Sequence, residues 1–172
     1  MTATAFEIRD ATGADRAAIK HVVFSVLAEH GLVPDPAATD ADLEDITGNY
    51  LETGGTFRVV QARDGTVVGC GALFPLPGNE MELRKMYLLP CARGHGVGRT
   101  LLSELIAFAR ARGTQVISLE TAAVLEAAIK LYRSFGFVAA ERRDLSPRAD
   151  QAWALQLADP NGAAGHVAEP DS

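Results

Sequence analysis

Along the first 50 residues the hydrophobic positions keep a helical period. Over residues 12–30, Ile19, Val22, Val23, Val26 and Leu27 recur at the i, i+3, i+4, i+7, i+8 spacing of one helix face. Thr12 is placed to cap that helix, Gly31 to end it, and residues 6–9 before it read as a short strand. After a Leu-Val-Pro-Asp-Pro loop, residues 40–48 read as a shorter helix whose first turn is acidic, with Asp40, Asp42, Glu44 and Asp45.

The period then shortens to two. Residues 56–62, 66–74 and 80–89 read as three antiparallel strands, joined by an Asp64-Gly65 turn and a loop from Pro75 to Asn79. In the third strand the apolar positions change parity, odd at Met81 and Leu83 and even at Met86 and Leu88, with Arg84 and Lys85 between. Strand side chains alternate faces, so one extra bulged residue near Arg84 or Lys85 accounts for the switch.

Helical spacing returns at Val97, Leu101, Leu102, Leu105, Ile106, Phe108 and Ala109, up to Gly113. Residues 116–120 follow as a short strand, 125–135 as a helix ended by Gly136, and 137–140 and 151–157 as strands. This order predicts an α/β domain in which helices cover a mixed sheet, with a ligand entrance where the strands from Glu80 and Val116 diverge. Residues 1–158 are expected to be one domain; 159–172, rich in Gly, Ala and Pro, are expected to be a disordered tail.

Composition narrows the chemistry. With 172 residues, 48% hydrophobic and 22% charged, the chain suits a globular domain, and it has no apolar run of membrane-spanning length. The first ten residues do not resemble a secretory signal, so a cytoplasmic protein is expected. A net charge of −6 and a pI near 5.2 argue against a nucleic-acid partner. The two cysteines, Cys70 and Cys91, form no Cys-x-x-Cys pair and are expected to be reduced; the four histidines are scattered, and no metal site is expected.

The segment before the second long helix is Arg93-Gly94-His95-Gly96-Val97-Gly98-Arg99. Its glycines let the main chain approach an anion closely, and N–H groups from Gly94 to Arg99, at the positive end of the helix dipole, are donors for phosphate oxygens. A Walker A loop is excluded, because Gly98-Arg99-Thr100 stands where Gly-Lys-Ser/Thr is needed. A dinucleotide fingerprint fits less well: Glu120 lies at a suitable distance, but Arg99 occupies the third glycine position and no strand–helix–strand unit begins there.

The Arg-x-x-Gly-x-Gly pattern, preceded by Glu-Leu-Arg-Lys-Met-Tyr-Leu-Leu-Pro and followed by Ala-Ile-Lys-Leu-Tyr-Arg-Ser-Phe-Gly-Phe over 128–137, closely resembles the GNAT superfamily of acetyl-CoA-dependent N-acetyltransferases. The resemblance is strong over about residues 56–137. It implies the GNAT fold: a mixed sheet of six to seven strands, about four helices, and a bulged, splayed central strand.

It further implies that acetyl-CoA is a co-substrate, held by Arg93 to Arg99 (Arg93, Gly94, His95, Gly96, Val97, Gly98 and Arg99) at its pyrophosphate and by main-chain groups of Met86, Tyr87 and Leu88 at its pantetheine arm. An N–H near Met86 would face the developing oxyanion. Tyr132 matches the family tyrosine that protonates the leaving thiolate; it also shares an apolar stripe with Leu125, Ala128 and Ile129, so a core position is the alternative. Leu125 stands where the family commonly has asparagine.

Glu82 is the candidate general base for the acceptor amine, Glu80 the reserve and Glu120 a weaker choice; His95 is expected to point to solvent. The implied activity is direct acetyl transfer to a primary amine of a small molecule or peptide, with no cysteine carrier. The alternatives are a non-catalytic acetyl-CoA-binding module and a longer acyl donor. Acceptor specificity is expected from residues 33–50, 75–79 and 145–150, and a homodimer by resemblance alone.

Overall fold

The computed structural model describes residues 5–157. Seven strands form one sheet in the order β1-β2-β3-β4-β5-β7-β6: β1 (Phe6–Asp10), β2 (Thr56–Ala62), β3 (Val67–Leu76), β4 (Glu80–Leu88), β5 (Val116–Thr121), β6 (Val138–Ala140) and β7 (Gln151–Gln156). Neighbours pair antiparallel except β4 and β5, which run parallel. This is the expected mixed α/β sheet. The proposed tail beyond residue 158 lies outside the described residues.

Each face carries its own apolar core. On one, α1 (Arg16–Glu29) sets Ile19, Val22, Val23 and Leu27 against Phe57, Val59, Cys70 and Ala72. On the other, α2 (Val97–Ala111) and α3 (Glu126–Ser134) cover Leu73, Met81, Leu83, Ile117 and Leu119. Strand β3 is consequently buried from Val67 to Leu73. A strand covered on both faces needs small residues where helices come close, and a Cβ on Gly71 would lie 3.1 Å from Leu105.

The parity switch in β4 is the expected bulge. Cys70 pairs with Tyr87 but Ala72 pairs with Arg84, so Lys85 and Met86 together oppose the single residue Gly71. Lys85 takes φ +54°, a left-handed value uncommon outside glycine. Met81, Leu83, Met86 and Leu88 all pack on the same core as a result.

Two expectations near the N-terminus change. Thr12 does not cap the long helix; a 3-10 turn, Gly13–Asp15, comes first, and the Asp15 carboxylate accepts the Thr12 N–H at 2.8 Å while binding Arg9. The end is as expected: Gly31 takes φ +71°, and the Leu32 N–H returns to the Leu27 carbonyl. Residues 40–48 are not one helix. They form a 3-10 turn (Ala41–Glu44) and then a π-helical turn (Thr47–Leu51). Asp40 is drawn inward by buried cations, and Asp45 breaks the run with its side chain accepting the Gly48 N–H. These short helical turns stand where a single helix was expected.

Candidate active site

Strands β4 and β5 pair only from Glu80↔Val116 to Leu83↔Leu119. Beyond that level β5 continues with β7 while β4 turns away through its bulge. The gap opens into a cavity of about 840 Å³, walled by β4 from Glu82 to Leu88, the glycine turn, the end of β5 and the inner face of α3. This is the entrance expected from the strand order.

The glycine turn forms one end. After a 3-10 turn at Pro90–Ala92, Gly94 and Gly96 adopt φ +77° and +76°, and α2 starts at Val97. Among the described residues, no main-chain or side-chain acceptor takes the N–H groups from Gly94 to Arg99. Six donors at a helix head make a site for an anion. A Cβ on Gly98 would lie 3.2 Å from Leu88 and 3.7 Å from Leu131, so glycine there keeps α2 close to both walls.

Side chains of the turn are less available than its main chain. The Arg93 guanidinium makes paired bonds of 2.6 and 2.7 Å to Glu29, and its Nε donates to the Leu88 carbonyl at 3.0 Å. Arg99 donates to the Ser134 hydroxyl and lies over the Phe135 ring at 5.0 Å. His95 is exposed, as expected, with its ring edge-on to Phe6 rather than in the cavity wall.

Of the three β4 residues expected at the pantetheine arm, all line the cavity. The Leu88 carbonyl is taken by Arg93, and Leu88 and Tyr87 face Gly69 and Cys70 in the ladder. On the side turned from β3, this stretch has no strand neighbour among the described residues.

Tyr132 lies in the cavity wall on α3, 6% exposed, its ring packed against Phe137. Its ring belongs to the core, and its hydroxyl has no partner among the described residues. Burial, with a smaller contribution from Tyr87, raises its pKa well above the usual tyrosine value. Tyr87 is pushed up to about 12, chiefly by burial. Both hydroxyls therefore keep their protons at neutral pH.

The carboxylates differ in position. Glu82 lines the cavity and accepts from Arg84 at 2.6 Å and Arg142 at 3.2 Å. Glu120 also lines it, accepting the Ser146 N–H at 3.1 Å. Glu80 does not reach the cavity and bonds the Ser118 hydroxyl. Burial pushes the Cys70 thiol up to about 12, and it donates to the Lys85 carbonyl; Cys91 is exposed outside the cavity.

Comparison with known proteins decides the family. Residues 23–137 match the model of the Acetyltransferase (GNAT) family. The chain belongs to that family. Among GNAT relatives, YjgM of Escherichia coli K12, an uncharacterized N-acetyltransferase, is 40% identical over 135 residues, covering 76% of this chain and 80% of its own. The IAA acetyltransferase of Azospirillum brasilense is 38% identical over 103 residues, 59% of this chain and 66% of that one.

Solved GNAT structures share the fold. An acetyltransferase of Staphylococcus aureus Mu50 superposes with a TM-score of 0.85 at 23% identity, covering 90% of this chain and all of its own. The yncA protein of Salmonella typhimurium, solved with its cofactor acetyl-CoA, gives 0.69 at 26% identity over 97% and 98% of the two chains.

Four side chains of this GNAT site were not singled out as site residues in the sequence. Lys85, Arg148 and Asp42 also line the cavity, and Arg142 reaches Glu82 from a loop. Lys85 carried a signal in its place at the parity switch, and Asp42 and Arg148 fall in the segments expected to set acceptor specificity, whereas Arg142 carried none. Of the specificity segments, residues 33–50 and 145–150 contribute to the wall but 75–79 do not, because that loop enters β4 at the end remote from the gap.

Proposed function

We propose that this GNAT acyltransferase moves an acetyl group from acetyl-CoA to a primary amine of a small molecule or peptide, by direct attack in a ternary complex. The observation that carries the reading is one cavity bordered by the unpaired N–H groups of Gly94, Gly96, Val97, Gly98 and Arg99 at the head of α2, an unpaired stretch of β4 and a protonated tyrosine. The donor fan fits a diphosphate, and the free strand edge fits an amide-bearing arm.

Bound acetyl-CoA supplies a thioester and a thiol leaving group. Gly94 to Arg99 hold the diphosphate by their main chain, while Arg93 works indirectly by fixing Leu88 and Glu29. Met86 and Tyr87 orient the arm along β4. Tyr132, held protonated by burial, donates its proton to the departing sulfur. Glu82 accepts a proton from the incoming ammonium, directly or through water; Arg84 and Arg142 keep its carboxylate aligned with the cavity. The raised thiol pKa of buried Cys70, and the place of Cys91 outside the cavity lining, are the features that favour a mechanism without a cysteine carrier.

The test is release of free thiol from acetyl-CoA with amino acids, polyamines, aminoglycosides and peptide N-termini as acceptors. Turnover with an amine is expected. Tight acetyl-CoA binding with no thiol release on any acceptor would favour a binding module, a reading that Leu125 in the asparagine position keeps in view.

A further inference from the structure

The acceptor end of the cavity is built by three segments distant in sequence: the turn that supplies Thr39 and Asp42, the β4 bulge that supplies Lys85, and the loop that supplies Ser146 and Arg148. None of these pairs with another as a strand. All three converge on Asp40, which is only 1% exposed and is not itself in the cavity wall.

Its two oxygens accept four hydrogen bonds. Arg148 approaches through both terminal nitrogens, Nη1 to Oδ2 at 2.8 Å and Nη2 to Oδ1 at 2.6 Å. Lys85 Nζ reaches Oδ1 at 2.5 Å, and the Asp35 N–H reaches Oδ2 at 2.8 Å. Lys85 extends the link, donating to the Thr39 carbonyl at 2.9 Å and lying 3.2 Å from Asp42.

We propose that Asp40 is the positioning residue of the acceptor site, a clasp that sets its width by tying both loops to the bulge of the central strand. The geometry requires the charges as they stand. Two carboxylates, buried Asp40 and its neighbour Asp42, face two cations, so the charges balance only while both Lys85 and Arg148 remain, and Lys85 reaches them from the bulge, which turns that residue away from the ladder. A bidentate guanidinium fixes direction as well as distance, which a lysine at 148 does not reproduce. Acceptor geometry is thereby set from behind the wall, by a residue that touches no substrate.

The test uses Arg148→Gln, which frees one loop but leaves the Lys85–Asp40 pair, and Arg148→Lys as the conservative partner. In Arg148→Gln, amide hydrogen exchange is expected to accelerate about tenfold or more in both 35–42 and 144–150, while the hydrogen-bonded amides of 101–109 in α2 are unchanged. Arg148→Lys should restore part of that protection. Unaltered exchange, acceleration in 144–150 alone, or an equal rise that includes 101–109 each overturns the clasp.

A second readout rests on the transferase reading. KM for the acceptor should rise about tenfold with CoA affinity unchanged. If no amine is acetylated by the unmodified protein, that reading fails on its own, and the exchange experiment still decides the clasp.

Discussion

Gly96→Ala tests the anion-binding turn at one atom. Gly96 sits at φ +76°, ψ 1° as the residue before α2, and a Cβ there would meet nothing within 4 Å. Any effect therefore comes from backbone conformation and not from a clash. Holding an L-residue in the left-handed region costs about 1–2 kcal/mol. If the turn keeps its shape, that strain appears as lost stability, a fall in Tm of roughly 2–8 °C for a chain of this length.

If the turn rearranges instead, strain is relieved but the N–H groups no longer converge. Loss of one charge-assisted bond, about 1.5–3 kcal/mol, weakens CoA binding by about tenfold or more. Differential scanning calorimetry and titration calorimetry with CoA separate the two outcomes. Gly13→Ala is the control, since its site is equally open and its φ is not left-handed. A Gly96→Ala protein with both Tm and CoA affinity unchanged would refute the reasoning.

The other predictions concern proton transfer and charge. Tyr132→Phe should lower kcat about 100-fold while leaving CoA affinity within a factor of two, as measured by thiol release and calorimetry; equal losses in both would return Tyr132 to a packing function. Glu82→Gln should lower kcat/KM about 100-fold near neutral pH and recover as pH approaches the amine's own pKa near ~10, with a flat pH–rate ratio removing it as base. Burial alone would raise the pKa of Asp40, but Arg148, the Asp35 N–H and Lys85 hold it at about 2 against an ordinary 3.8. Its contribution, about 2 kcal/mol, is present above pH 4 and lost as pH falls toward 2. Acid unfolding followed by circular dichroism should show that loss shrink in Arg148→Gln.

What could be read without coordinates was whatever left a local period or a glycine pattern. The β4 bulge was legible because two neighbouring pairs of apolar residues had opposite parity yet one core to fill. The anion turn was legible because Gly94 and Gly96 flank a residue just before an amphipathic run. The 40–48 segment misled because its acidic residues look like a helix's first turn, whereas Asp40 answers to Lys85 and Arg148, 45 and 108 residues away. Pairings at such separations leave no periodic trace. Glu82 was legible as a carboxylate on β4, but Arg142, which pairs with it, sits in a loop with no pattern.

Among the described residues, the ladder between β1–β4 and the remaining three strands is only four residue pairs long. Above them the sheet is a wedge with one bare inner edge. A guest whose own amides bond to Met86 and Tyr87 would serve there as an eighth strand, knitting two half-sheets into a continuous one. Loading the site and completing the architecture would then be a single event, and the empty protein would be expected to breathe along that seam.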